Sequence, residues 1–221
     1  FGVKSTWNDG KLILNAAYYQ MDWSDFQTTT YNPDLESVAF VDNVGDAEIN
    51  GFELDITYLI NDVTSVTAYF NSNDPTLSED YYGDEGVLTA NAGNRLSNMP
   101  KSSYYLSLDR DIVLMGLPGF LNIDYSFVGD RFSTFENVSS GSDIREVLPS
   151  YGLANMRLGV EMDNSIIEAY ISNIADEDGY LSRYDDFAQA GDPATSGYPG
   201  FGIRRTGTKP RVIGIRYRYR F

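Results

Sequence analysis

Apolar and polar residues alternate with a period of two along most of this chain. The pattern is cleanest in residues 212–221, V-I-G-I-R-Y-R-Y-R-F. Ile213, Ile215, Tyr217, Tyr219 and Phe221 fall on one face, and Val212, Gly214, Arg216, Arg218 and Arg220 on the other. Only a β-strand places alternate residues on opposite faces, and about ten residues of tilted strand cross a bilayer. Arginines facing hydrocarbon would cost roughly 2–4 kcal/mol each at the midplane. The pattern therefore predicts lipid against the aromatic face and a watery or protein-filled lumen against the arginines. For this stretch alone, the edge of a soluble sheet is the alternative.

The same alternation recurs upstream. Phe52, Leu54, Ile56 and Tyr58 oppose Gly51, Glu53, Asp55 and Thr57; Tyr104, Leu106 and Leu108 oppose Tyr105, Ser107 and Asp109. Leu121, Ile123, Tyr125 and Phe127 oppose Asn122, Asp124 and Ser126; Ala154, Met156, Leu158, Val160 and Met162 oppose Asn155, Arg157, Gly159 and Glu161. In the segment from Leu12 to Phe26, Ile13, Ala17, Tyr19, Met21 and Trp23 are assigned to the outer face, although Leu12 and Leu14 argue the other way. Tight-turn signals at Asn8-Asp9-Gly10-Lys11, Asn61-Asp62, Gly116-Leu117-Pro118-Gly119 and Asp163-Asn164 alternate with long polar segments near 28–41, 74–89, 133–149 and 175–209. Short turns at one end and long loops at the other predict an all-β, antiparallel up-and-down transmembrane barrel wall of about nine strands. An odd set cannot close on itself without a parallel pair, and lipid tolerates no open edge, so the wall is expected to be incomplete.

Composition narrows the chemistry. The chain has no cysteine and no histidine, which removes disulfides, thiolate and imidazole metal sites and Ser-His-Asp triads. An enzyme is therefore not expected. The formal net charge is −16, but seven of the 16 basic residues lie from Arg204 onward, where there is no acid. That balance speaks against nucleic acid as a partner. Phe1-Gly2-Val3-Lys4 already reads as strand, so an exported protein's signal peptide is expected to lie upstream.

Several segments resemble one family, the TonB-dependent outer-membrane receptors. Residues 43–53, N-V-G-D-A-E-I-N-G-F-E, look like its N-x-x-x-A-x-x-x-G-x-E strand, which carries Asn43, Gly51 and Glu53. Gly93, Asn94 and Pro100 stand in a segment similar to its G-N-x-L-x-x-x-P element, Pro149 and Tyr151 in its P-x-Y, and Asn173 and Asp176 in its N-L-x-D, here N-I-A-D. The final Phe221, preceded by Tyr219 and Tyr217, is similar to the terminal signal read by the outer-membrane assembly machinery. The resemblance implies that residues 1–221 are the C-terminal portion of a receptor β-barrel domain. That barrel has 22 strands around an N-terminal plug, which lies outside this segment. It also implies a Gram-negative outer-membrane location and contact with outer-membrane lipid. A TonB-type energising protein would act through the N-terminal part. The motif residues also read as architecture: Gly51 lets a neighbour or plug backbone approach closely, and Asn173 and Asp176 tie down a strand-to-loop corner.

The long loops carry the candidate ligand chemistry. Tyr81, Tyr82, Tyr180 and Tyr184 offer flat faces and hydroxyls; Arg95, Arg145 and Arg183 offer cations to an anionic ligand. Acid clusters at Glu79-Asp80 with Asp84-Glu85, and Asp176-Glu177-Asp178 with Asp185-Asp186, carry the hard oxygens Ca²⁺ takes. They lack the spacing of a calcium loop, so they read as solvated faces and no cofactor is expected. The favoured function is energised import of a scarce extracellular solute (siderophore, cobalamin, saccharide or similar). The alternative is a passive porin or structural barrel.

Overall fold

The computed structural model describes residues 1–31, 39–83, 86–133, 147–185 and 203–221. Strand β1 (Gly2–Trp7) turns through Asn8, Asp9 and Gly10, all at positive φ, into β2 (Leu12–Trp23). Beyond β2, β3 (Gln27–Tyr31) and β4 (Ala39–Asn43) form a hairpin of their own. The chain descends in β5 (Ala47–Asn61) and rises in β6 (Thr64–Leu77), above which β7 (Tyr81–Tyr82) pairs with β8 (Leu88–Ala90). It descends again in β9 (Ser102–Leu114) and rises in β10 (Leu117–Val128). There β11 (Arg131–Phe132) pairs with β12 (Val147–Leu148). The last wall strands are β13 (Tyr151–Met162), β14 (Ser165–Ser172) and β17 (Val212–Tyr219). Between the last two, β15 (Tyr180–Asp185) pairs with β16 (Ile203–Gly207).

Among the described residues, nine strands form one antiparallel sheet in the order β1-β2-β5-β6-β9-β10-β13-β14-β17, with β1 and β17 at its edges. The four two-stranded sheets all sit above the long-loop end. The segments expected to be loops thus continue upward as hairpins, and β6 runs on to Leu77 instead of ending near Asn71. Loop polarity concealed this, because these hairpins bury only scattered apolar side chains such as Tyr81, Ala90 and Leu148.

Register fixes the two faces. Ile215, Ala169, Leu158 and Leu121 are successive direct partners and face outward, as do Tyr217, Ile167 and Val160. The opposite face carries Arg216 with Glu168 and Gly159, then Asn122 with Arg157. An outward belt of rings crosses five strands. Tyr18 pairs with Phe52, Phe52 meets Phe70 at 6.4 Å, Phe70 pairs with Tyr104, and Tyr104 stacks on Phe127 at 4.8 Å. At the other end of the strands, Trp7, Tyr58, Tyr219 and Phe221 are exposed on the same outward face. Two aromatic girdles with aliphatic residues between them are the wall of a membrane barrel.

The assignment for β2 is overturned. Tyr19 pairs with Gly51 and Ala17 with Glu53, so Ile13, Ala17, Tyr19, Met21 and Trp23 line the lumen, while Leu12, Leu14, Ala16 and Tyr18 face lipid. Both faces of β2 are apolar, and only pairing with β5 decides between them. At Gly51 a Cβ would stand 2.2 Å from the end of the Tyr19 ring, so the glycine admits this neighbouring side chain lying flat. Phe120 over Gly159 and Tyr170 over Gly214 repeat the device on the lumen face.

Candidate functional site

The inner face carries a connected polar ladder. The Ser107 hydroxyl donates to one Asp109 oxygen at 3.1 Å, and Asn122 Nδ2 to the other at 2.7 Å. Arg157 Nε donates to Asn122 Oδ1 at 3.1 Å, and its Nη2 lies 3.6 Å from Asp124. Asn155 Nδ2 donates to Asp124 at 2.6 Å, and Asn155 Oδ1 accepts the Asn173 backbone N–H at 3.0 Å. Farther along, the buried Glu168 carboxylate accepts from Arg216 at 3.0 Å and from Arg218 at 3.3 Å. The Arg216 guanidinium also stands 5.4 Å above the Tyr170 ring. A row of arginines two residues apart repels itself, and Glu168 relieves that repulsion on the adjacent strand. Toward β1, a trough of about 940 Å³ opens on the same face, lined by Lys4, Asn15, Glu53, Asp55, Tyr69 and Asn71 among others.

Above the wall, the extracellular hairpins are stitched together by buried arginines. Arg95 donates to the Asp130 carboxylate at 3.3 Å, to its carbonyl at 2.6 Å and to the Met99 carbonyl at 3.1 Å, and it lies over the Phe132 ring. Arg131 donates to the carbonyls of Tyr180 and Leu181, both at 2.7 Å, across the Tyr151 ring. Asn98 adds a backbone bond to Phe132 and a side-chain bond to Ser133. The hairpins built on β7–β8, β11–β12 and β15–β16 are thereby held in one frame. Below them Val44, Ala47, Leu77, Tyr81, Ala90 and Leu96 form a small apolar core.

The residues singled out for ligand contact are thus dispersed. Tyr81 is packed in that core and Arg95 is spent on Asp130 and backbone carbonyls, so burial turns both toward holding the loops. Tyr82 is exposed. Tyr180 and Arg183 lie on β15, where Arg183 is the direct partner of Arg205 and the Arg205 guanidinium stands 5.0 Å from the Tyr180 ring. Arg145 and the Tyr184 side chain lie outside the described residues, as do Asp84, Glu85 and Asp186. No group of three or more acids placed to hold a metal occurs among the described residues. Arg131 and Arg205 escaped the sequence reading, because an arginine beside a loop carries no signal of what it will reach.

The motif residues occupy corners and crossings. Asn173, buried and at positive φ, accepts the Glu177 N–H at 2.9 Å and donates to the Glu177 and Lys209 carbonyls at 2.9 Å each. Asp176 accepts the Arg211 N–H at 2.7 Å, so the end of β14 is tied to the start of β17. Gly93, at φ +79°, donates its N–H to the Leu77 carbonyl, and the Asn94 carbonyl accepts the Leu77 N–H. Asn43 accepts from Gln27 at 2.9 Å, and Glu53 accepts from Asn71 at 3.4 Å. Pro100 precedes β9, Pro149 precedes β13, and the Tyr151 ring covers Gly179. Tyr217, Tyr219 and Phe221 face outward at the wall's last edge, with Tyr219 and Phe221 in edge contact at 5.1 Å.

Known proteins match this geometry. The family model described as TonB dependent receptor-like, beta-barrel, matches residues 1–174. No curated protein matches. Among solved structures, the siderophore receptor PiuA from Acinetobacter baumannii aligns with a TM-score of 0.69 at 18% identity, covering 98% of this chain and 27% of that one. The ferric yersiniabactin uptake receptor FyuA from Yersinia pestis gives 0.72 at 17%, covering 100% and 29%. The copper transporter OprC gives 0.66 at 19%, covering 100% and 30%. The chain therefore spans less than a third of the length of these structures. By its strand order, its two girdles and its family match, the chain belongs to the TonB-dependent receptor-like β-barrel family of the Gram-negative outer membrane.

Proposed function

We propose that residues 1–221 are the C-terminal portion of a receptor barrel that captures a scarce extracellular metal chelate of the siderophore class and imports it with TonB-coupled energy. The observation that carries the solute class is the β15–β16 hairpin. Arg183 and Arg205 are direct cross-strand partners there, which sets two guanidinium-bearing side chains side by side on the rim. Tyr180 beneath Arg205 adds a flat aromatic face. An anionic chelate with aromatic groups suits both features. The similar structures include a siderophore receptor and a ferric yersiniabactin uptake receptor, which support the same class, and a copper transporter, which supports metal uptake. The family is one of receptors and transporters, and the wall supplies polar lining rather than reaction chemistry.

The test uses the full-length receptor in a host lacking its own chelate receptors. Uptake of iron-loaded catecholate, hydroxamate and phenolate chelates is measured with and without the energising partner. Energy-dependent uptake of one class, with binding weakened at least tenfold by Arg183→Glu and Arg205→Glu, is the expected result. Uptake that persists without energy would instead make the protein a passive porin, and saccharide uptake insensitive to both substitutions would overturn the chelate assignment.

A further inference from the structure

We propose that Arg110 and Thr64 form, on the lipid-facing surface, a binding site for the phosphate of one phospholipid in the periplasmic leaflet. Arg110 is the direct partner of Leu121 on β10 and of Thr64 on β6. Leu121 belongs to the outward row that continues through Leu158, Ala169 and Ile215, so Arg110 points toward lipid. The carboxylates flanking it in sequence, Asp109 and Asp111, fall on the lumen face, and Asp109 is held there by Ser107 and Asn122. Among the described residues no side chain or carbonyl pairs with the exposed Arg110 guanidinium.

Its depth is set by the strand. Tyr104, Leu106 and Leu108 precede it on the outward face, and only Ile112 and Leu114 follow before the turn at Met115 and Gly116. Thr64 opens β6 just after the turn from β5. Both residues therefore lie at the short-turn end of the wall, which in this family is the periplasmic end. An outward guanidinium is tolerated near that interface and not at mid-membrane, because its long stem can carry the charge to the headgroups.

The second observation is independent of the first. Thr64 is only 7% exposed, and its Oγ1 is buried without a hydrogen-bond partner. An orphaned hydroxyl directly across from an unpaired cation is a donor pair without an acceptor. A phosphodiester at this depth satisfies both once the flexible Arg110 side chain turns to meet it, and its acyl chains then lie along Leu106 and Leu108. Inorganic phosphate offers the same oxygens, but it leaves that apolar stripe uncovered.

Native mass spectrometry of the full-length receptor in mild detergent tests this with phosphatidylglycerol as the probe. A diacylglycerol with the same chains and excess inorganic phosphate form the control arms. The tightest bound phosphatidylglycerol should survive collisional stripping of the remaining lipid. Arg110→Gln and Thr64→Val should each lower its retention at least fivefold, and Arg110→Lys should restore part of it. Unchanged retention in either of the first two variants overturns the site. Equal retention of diacylglycerol shows apolar adhesion only, and full displacement by inorganic phosphate shows a free-ion site; each of these also overturns it. Thr64→Val removes one hydroxyl without changing shape, so it decides the matter even if Arg110→Gln fails to assemble.

Discussion

Glu168 and the two arginines it joins should respond to mutation in an order opposite to what the number of lost bonds suggests. The Glu168 side chain is 4% exposed, whereas those of Arg216 and Arg218 are 53% and 56% exposed. Glu168→Ala removes the buried charge together with both pairs, and the arginines regain lumen water. Each pair has one half-solvated partner, so screening holds its worth to roughly 0.2–1 kcal/mol, and the variant should lose no more than about 1–2 kcal/mol. Replacing both arginines by alanine does the reverse. It leaves a buried carboxylate with no counter-charge, which costs about 3–5 kcal/mol. The triple variant should return to the level of Glu168→Ala. Urea unfolding of the full-length receptor in phospholipid vesicles, followed by tryptophan fluorescence, reads these differences as midpoint shifts. If Glu168→Ala proves as damaging as the arginine double variant, or the triple fails to recover, then Glu168 is not the buried member on which the cluster depends.

Two glycines should separate in the same assay. At Gly119 an added Cβ would meet the Gly159 carbonyl oxygen at 2.3 Å, which is backbone, so Gly119→Ala should cost about 1–3 kcal/mol with no side-chain rescue; at Gly51 the nearest atoms belong to the Tyr19 ring, so Gly51→Ala should be rescued by Tyr19→Leu. Arg131→Ala should speed amide exchange across β15 while leaving β10 and β13 protected, because its bonds to the Tyr180 and Leu181 carbonyls join that hairpin to the frame; unchanged exchange in β15 would show that the hairpin is held by other contacts. Deleting Phe221 from the full-length gene should lower outer-membrane levels severalfold while purified, refolded receptor keeps its unfolding midpoint, since Phe221 touches little besides Tyr219; normal membrane levels would refute an assembly role.

The wall was legible because lipid imposes a strict rule on one face of every strand. From β9 to β17 the outward rows are apolar almost without interruption, and alternation alone assigned Leu106, Tyr125, Met156 and Ile215 correctly. The rule fails where the lumen face is apolar too. On β2, Ile13, Tyr19 and Trp23 mimic a lipid face, and only register against β5 shows that Tyr19 lies over Gly51. The extracellular hairpins obeyed no such rule. Their strands are short and held by long-range bonds, such as those from Arg131 to the carbonyls of Tyr180 and Leu181, 49 and 50 positions away. No local pattern encodes a bond of that kind.

The candidate site inherits this difference. A ligand contact on a wall strand could be read from parity, because register fixes which way each residue points. A contact on the rim depends on where Arg95 and Arg131 anchor the hairpins, and those anchors are buried cations joined largely to carbonyl oxygens. Such bonds specify position without specifying which side chains are presented, so the hairpins built on them can change surface residues without disturbing the frame. The wall below has no comparable freedom: the ladder from Ser107 through Asn122, Arg157 and Asp124 to Asn173 joins β9 to the corner at which β14 ends. Surface positions on the hairpins, such as half-buried Arg183 and exposed Arg205, are therefore free to vary, while the ladder keeps the corner beneath them in place.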